Sequence, residues 1–430
     1  MRRLLFIFSF LSLLVVDGKA QEVETLTLED CLRIGIDNNL SLEGKRKEIQ
    51  KSKYGVSENR SKLLPQITVI AGYNNNFDPP VSVTDGSSYG VPYNITKTLQ
   101  HTANAGLEMQ MPLFNQTLYT SMSIAKVMEE ISRLSYGKAR EDIIMQISKM
   151  YYLGQVTAEQ IVLIKANITR LEELRDITQA FFDNGMSMEV DLKRVNINLE
   201  NLKVQYDNAQ AMMKQQLNML KYIMDYPAEK EFVLTPVNTD SITTVALTGL
   251  SENIYELQLS QSQVQLAEKQ KKIISNGYIP SLSLTGSWRY AAYTDKGYHW
   301  FHSGPSNHWF RSYGLGLTLR IPIFDGLDKT YKIKKAMIDI ENSKLAWENA
   351  RKSLQTQYLN AVNDLMNNQR NFKKQKDNYL LAEDVYTVTS DRYREGIASM
   401  TEVLQDEMQM SEAQNNYISA HYNYRITNLM

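Results

Sequence analysis

Three histidines lie close together at His299, His302 and His308, spaced three and six residues apart. Imidazole nitrogens are common zinc ligands, so the spacing raises the question of a metal site. The surrounding segment carries Gly, Ser, Pro and Asn, and a solvated loop accounts for the three equally well. Carboxylate pairs such as Glu172-Glu173 suit acid–base chemistry in principle, but they fall on helical stretches with Arg and Lys nearby, where a solvated charged face suffices. The 19 methionines could carry soft-metal cargo, yet Met212, Met213, Met408 and Met410 fit helical seams, where a flexible thioether packs. Cys31 is the single cysteine and sits within Leu28-Glu29-Asp30-Cys31-Leu32, a helical context that predicts a buried small apolar side chain. No disulfide framework and no cysteine metal cluster can be built from it. A glycine-rich phosphate loop and a nucleophile elbow are both missing. No enzyme, cofactor or metal is expected.

The residues that remain informative are structural ones. Arg2-Arg3, an apolar run from Leu4 to Val16 and Gly18-Lys19-Ala20 make residues 1–20 a secretory signal peptide. About 13 apolar residues are too few for a spanning helix. Cleavage takes away Arg2, Arg3 and Lys19 against Asp17 alone, so the formal charge goes from −1 to −3. Neither nucleic acid nor an acidic partner is implied. No later run of apolar residues is long enough to span as a helix, so a membrane-inserted mature chain must use a closed β-barrel.

The chain says the same thing twice. "GLEMQMPLFN" from Gly106 returns as "GLTLRIPIFD" from Gly316; Pro65 is answered by Pro280, Pro112 by Pro322, and Gly185 by Gly396. These landmarks keep their order at offsets between 210 and 215, which marks an internal duplication. The expected first repeat covers 21–224: a helix from about Leu28 to Leu63, strands at about 65–77 and 98–112, a long helix at 114–184 and a return helix at 187–224. Residues 225–250 read as a connector. The second repeat, 251–430, has a helix to about Tyr278, strands at about 280–293 and 309–322, a long helix at 325–395 and a return helix at 398–430. Pro65, Pro112, Pro280 and Pro322 are the expected strand boundaries, and 74–98 and 294–308 the connecting loops.

The strands alternate. Leu107, Met109 and Met111 oppose Glu108 and Gln110, and Tyr313, Leu315, Leu317, Leu319 and Ile321 oppose Ser312, Gly314, Gly316, Thr318 and Arg320. About 11 residues at ~3.3 Å, tilted by ~45°, rise about 25 Å, the height of an outer-membrane apolar band. Aromatic residues gather at the strand ends, among them Tyr73, Phe77, Trp288, Tyr298, Trp300, Trp309 and Phe310, as in an interfacial girdle. Four strands cannot close a barrel, which needs about eight, so several copies must share one. Even, pore-sized closure suggests three copies and twelve strands. A sheet half-buried against its own helices is the competing reading of the same alternation.

The helices supply the second half of the argument. A proline-free run of about 70 residues extends roughly 105 Å if helical. Ile143, Ile147, Met150, Gly154, Thr157, Ile161, Ile164, Ile168 and Leu171 step by four and three in alternation, the 3.5-residue period of coiled-coil packing. Leu354, Tyr358, Ala361, Leu365, Asn368, Phe372, Gln375, Tyr379 and Ala382 repeat the steps. Gly185 and Gly396 then end the long helices and start antiparallel returns.

"LTLEDCLRIGIDNN" at Leu26, "LLPQITVIAGY", "YIPSLSLTGSW", "MPLFN", "IPIFDG" and "RYREGIASMTEVL" at Arg392, taken together and in order, resemble the TolC family of outer-membrane efflux proteins over nearly the whole mature chain. The resemblance implies a mostly α fold with a β-barrel part: a homotrimer whose twelve-stranded barrel sits in outer-membrane lipid of a Gram-negative bacterium and whose antiparallel helices form an α-barrel in the periplasm. It implies a passive exit duct of an efflux or type I secretion system, working with a periplasmic membrane-fusion adaptor and, through it, an inner-membrane pump of RND, ABC or MFS type. By the same resemblance the adaptor-docking tips are Gly185, Met186 and Ser187 with Gly396, Ile397, Ala398 and Ser399, and the periplasmic aperture is governed by Asp191, Tyr393, Glu402 and Gln405. Ala398 stands where the family has a gating arginine and Gln405 where it has a second acid, a departure from the usual links. The residues alone leave a second reading open, a periplasmic coiled-coil scaffold or adaptor without a channel.

Overall fold

The computed structural model describes residues 24–236, 253–294 and 308–429. In chain order the elements are β1 (Glu24–Leu26), α1 (Leu28–Asn38), α2 (Leu40–Ser61), β2 (Gln66–Asn75), β3 (Val81–Asp85), β4 (Tyr93–Lys97), β5 (His101–Phe114), α3 (Gln116–Asp183), α4 (Glu189–Met224), β6 (Phe232–Leu234), α5 (Tyr255–Asn276), β7 (Ser281–Thr294), β8 (His308–Arg320), α6 (Asp328–Arg394) and α7 (Met400–Thr427). They fall into two compact units, one made of Met1–Leu40, Arg140–Leu247 and Leu359–Met430, the other of Ser41–Ala139 and Thr248–Tyr358. The expected signal peptide, His299, His302, Tyr298, Trp300, most of the 294–308 loop and residues 237–250 of the connector lie outside the described residues, as does the side chain of His308.

The second unit carries an antiparallel sheet in the order β2-β5-β7-β8. Its register lines Val69, Leu107, Trp288 and Tyr313 into one row and Ile67, Met109, Gly286 and Leu315 into the next. The opposite face carries Thr68, Glu108, Ser287 and Gly314, and Glu108 is ion-paired with Arg289. The apolar face is bare: Leu315 is 81% exposed, Tyr313 76% and Val69 73%. Neither β2 nor β8 has a second neighbour in this sheet, so two ladder edges are open among the described residues.

Pro65 and Pro280 stand immediately before β2 and β7, and Pro322 two residues past β8. Pro112 does not bound a strand: β5 runs through it to Phe114, with a register shift against β7 at this point. β2 pairs with β5 only as far as Gln110, so the N–H that proline lacks is not needed on that side. The segment 74–98, expected to be a loop, holds the hairpin β3/β4, with Val81, Val83, Tyr93 and Ile95 as alternating apolar positions. Asp85 accepts from the Ser87 amide at 2.9 Å to shape its turn. The turn residues Asn, Pro and Gly masked two five-residue strands.

The first unit is helical. Val156, Leu171 and Leu174 of α3, Val195, Leu199 and Leu202 of α4, Phe372, Tyr379, Tyr386 and Tyr393 of α6, and Val403, Met410 and Tyr417 of α7 share one core. The 3.5-residue seam explains which residues go inside, and each fully buried Leu or Val contributes roughly 1.5–3 kcal/mol. Tyrosines replace aliphatics on α6, stacking with α7: Tyr379 lies 5.7 Å from Tyr417 and Phe372 5.3 Å from Tyr424. β1 pairs in parallel with β6, which belongs to the segment expected to be a connector.

The first helix is not continuous to Leu63. It breaks at Asn39 (φ −56°, ψ 119°), whose Nδ2 donates to the Ile223 carbonyl at 2.7 Å. A local side-chain bond to a distant carbonyl thus outweighs one turn of helix. Thr27 starts α1 with a capping box closed by Asp30. Cys31 is buried, and burial together with the neighbouring Asp30 charge pushes its thiol up to about 12. Maleimide labelling should therefore leave Cys31 unmodified in the folded protein at pH 7.5 and modify it fully in denaturant; rapid labelling without denaturant would contradict this packing.

Candidate functional site: the paired helical tips

Both long helices end the same way. Gly185 and Gly396 have φ of 74° and 76°, a left-handed geometry that favours glycine, and there is open space where a Cβ would stand. The Met186 amide donates to Phe181 O at 2.8 Å and Gly185 to Phe182 O at 2.9 Å; Ile397 donates to Arg392 O at 2.8 Å and Gly396 to Tyr393 O at 2.9 Å. Each pair is a Schellman closure, so the glycines are required by backbone shape.

The returns differ. α4 begins at Met188 with no side-chain cap. α7 begins at Ser399 with a full capping box: Ser399 N donates to Glu402 Oε2 at 2.8 Å and Glu402 N to Ser399 Oγ at 3.3 Å. The hydrogen bonds from the Ser399 amide and hydroxyl hold the Glu402 carboxyl below its ordinary range. The signal was present in the sequence as Ser399-Met400-Thr401-Glu402 before an apolar run.

Between the tips lies a cleft of about 430 Å³ lined by Phe181, Met186, Ser187, Asp191, Tyr393 and Ala398, with Gly185, Met188, Gly396, Ser399 and Met400. It brings Asp191 and Tyr393 together with most of the residues expected at the tips. Glu402 and Gln405 are not among its walls: Glu402 is engaged at its own helix start and Gln405 is exposed on α7. Tyr393 is buried against Phe181, ring centres 5.6 Å apart, and its hydroxyl donates to Thr178 Oγ1 at 3.3 Å. Asp191 pairs with Arg194 at 3.5 Å, and Arg194 also donates to Thr401 on α7 at 3.4 Å. Met186, Met188 and Ile397 point apolar surface outward, at 68%, 70% and 63% exposure.

Further links join α3 to the second hairpin. Arg170 pairs with Glu383 at 2.9 Å and donates to Asn167; Asn167 donates to Gln414 at 2.6 Å; Arg394 reaches Glu173 at 3.4 Å. Nearer the end of α7, His421 is 1% exposed with Nδ1 at 2.8 Å from Glu159, which also accepts from the Tyr417 hydroxyl at 2.8 Å. Arg425 Nε donates to His421 Nε2 at 3.2 Å, which leaves Nδ1–H to donate to Glu159. Burial pushes the Glu159 carboxyl up, but the bonds from His421 and Tyr417 and the Arg425 charge outweigh it and hold the group below its ordinary range. None of the links from α3 to α6 and α7 was anticipated, since each joins residues more than 200 apart.

Known proteins share this architecture. The chain is 21% identical over 382 residues to the outer membrane protein TolC of Vibrio cholerae, covering 86% of this chain and 81% of that protein. It is 24% identical over 364 residues to the toluene efflux pump outer membrane protein TtgC of Pseudomonas putida, covering 79% and 71%. Among solved structures it superposes on CusC with a TM-score of 0.77 at 15% identity, over 94% of this chain and 90% of that one. On the open state of the MtrE outer membrane channel of Neisseria gonorrhoeae the TM-score is 0.72 at 19% identity, over 94% and 87%. At such identities the superpositions speak for the fold alone, long helices joined to barrel strands. The sequence pattern of the outer membrane efflux protein family matches residues 34–224 and again 239–429, one stretch for each repeat. Sharing that pattern across both halves, together with the exposed sheet and the paired hairpins, the chain belongs to the outer membrane efflux protein family.

Proposed function

We propose that three copies of this chain close one twelve-stranded barrel in the outer membrane and that the trimer is the passive exit duct of a tripartite export system. The observation that carries this reading is the four-stranded sheet whose apolar face is exposed and whose two edges are unpaired among the described residues. In lipid such edges leave amides unsatisfied, and neighbouring copies are the economical remedy. The helical unit supports the same assembly. Val190, Ile197 and Val204 of α4 are exposed at seven-residue intervals, as are Leu359 and Met366 of α6, and heptad stripes of this kind pack against other helices.

The tips suit a periplasmic membrane-fusion adaptor: the glycines carry no side chain, and Met186 and Ile397 offer uncovered apolar contact. The adaptor in turn connects to an inner-membrane pump of RND, ABC or MFS type, and the cargo passes without chemical change. With Ala398 in place of an arginine, the aperture is held narrow by Tyr393–Thr178 and Arg394–Glu173, and Asp191 lends it negative charge. Carboxylates at a narrow mouth hold cations and repel anions.

Native mass spectrometry in detergent should give a trimer, and planar bilayers should record small cation-selective conductance. The double variant Tyr393→Phe, Arg394→Ala should raise that conductance severalfold. A detergent-stable oligomer with no conductance in either form, recovered away from the outer-membrane fraction, would leave the coiled-coil scaffold as the reading.

A further inference from the structure

The groove between α4 and α7 is polar where the adjoining bundle is apolar. Asn198, Asn201 and Gln205 on α4 and Ser411 and Asn415 on α7 enclose a cleft of about 360 Å³, and Glu407 forms part of its wall. Glu407 is only 6% exposed, and among the described residues nothing donates a hydrogen bond or an ion pair to its carboxyl. Buried carboxylates are ordinarily paired, because desolvation penalises the charged form. Burial accordingly pushes this carboxyl up, with the Arg170 charge opposing. Arg170 on α3 gives its two terminal nitrogens to Glu383 and Asn167, and its buried Nε donates to no group among the described residues. Tyr386 faces Glu407 from α6, α4 contributes amides alone, and Glu412 of α7 stands exposed at the cleft's rim. Among the described residues Glu407 thus has the Arg170 charge nearby but no ion pair or hydrogen bond of its own, in a cleft whose amide and hydroxyl oxygens can accept hydrogen bonds.

We infer that this cleft binds a small organic cation, with an ammonium or guanidinium group donating to Glu407 and to the amide and hydroxyl oxygens around it. The size of the cleft separates this ligand from a bare metal ion. An ion drawing oxygen ligands to ~2.0–2.6 Å fills a small fraction of such a space, whereas a short alkyl chain occupies it. Met408 at the rim offers the chain an apolar contact, and Glu412 offers a second cationic end its partner. The inference needs α4 and α7 alone, so it stands or falls separately from the duct reading.

Agmatine, which carries a guanidinium and an ammonium on a four-carbon chain, is the probe. Calorimetric titration into the full-length protein in detergent at pH 7.5 should show saturable binding at one site per chain. Glu407→Gln keeps the shape and removes the charge, and should weaken binding roughly tenfold or more. Its thermal midpoint should not fall, since the variant removes an unpaired buried acid and no bond. Asn201→Leu, which blocks the amide wall and keeps the carboxylate, should also weaken binding. Undiminished binding to Glu407→Gln would overturn the assignment. So would the absence of heat at millimolar agmatine with the native chain, the result expected if Arg170 turned to Glu407 and sealed the cleft.

Discussion

Leu315→Arg will keep this chain out of the outer membrane. Leu315 lies mid-strand in β8, 81% exposed, in the row it shares with Ile67, Met109 and Gly286. If that row faces acyl chains, a guanidinium near the bilayer midplane costs about 2–4 kcal/mol, and a trimer meets that cost three times. The expected result is loss of a heat-modifiable oligomer and of the protein from the outer-membrane fraction. Thr318→Arg, on the opposite face of the same strand, should insert and assemble normally, because that face meets the aqueous lumen in the proposed barrel. Equal tolerance of both substitutions would mean that the apolar rows face something other than lipid.

Glu159→Leu should destabilise the helical unit by roughly 3–5 kcal/mol at pH 7. It strands the Tyr417 hydroxyl and the His421 Nδ1–H, both buried donors, and removes a carboxylate on which the Arg425 charge acts. The effect is pH-dependent, with a definite sign. The folded carboxyl lies below its unfolded value of about 4.3, so its contribution is complete above that value and fades as pH falls through the folded pKa. Denaturation midpoints of native and variant protein, at one fixed protomer concentration, should therefore differ most near neutrality and converge in acid. A constant gap from pH 7 down to strongly acidic solution would show that Glu159 acts through shape alone.

Much of this architecture was legible from local pattern. Alternation in β8 and the steps of four and three from Ile143 to Leu171 each report which side of an element is covered, and that is a property of the element itself. Gly185 and Gly396 were readable as helix ends because a left-handed closure favours glycine wherever it occurs. The capping box at Ser399 and Glu402 was equally local, and reading Glu402 as an aperture acid overlooked the nearer partner. The hairpin β3/β4 was hidden for the opposite reason: five-residue strands are too short for a period to stand out among turn residues.

The sequence by itself determined the duplication, the alternation of the four sheet strands, the helical seams and the glycine closures at Gly185 and Gly396, because each depends on φ/ψ preferences and periods within a few neighbouring residues. Only the tertiary structure decided that Asn39 interrupts the first helix to reach Ile223, that Arg170 chooses Glu383 over Glu407, and that Glu159 meets His421. Those choices rest on distances of a few ångströms between groups separated by 184 to 262 residues. No local period encodes such a distance; it is set when the hairpins pack.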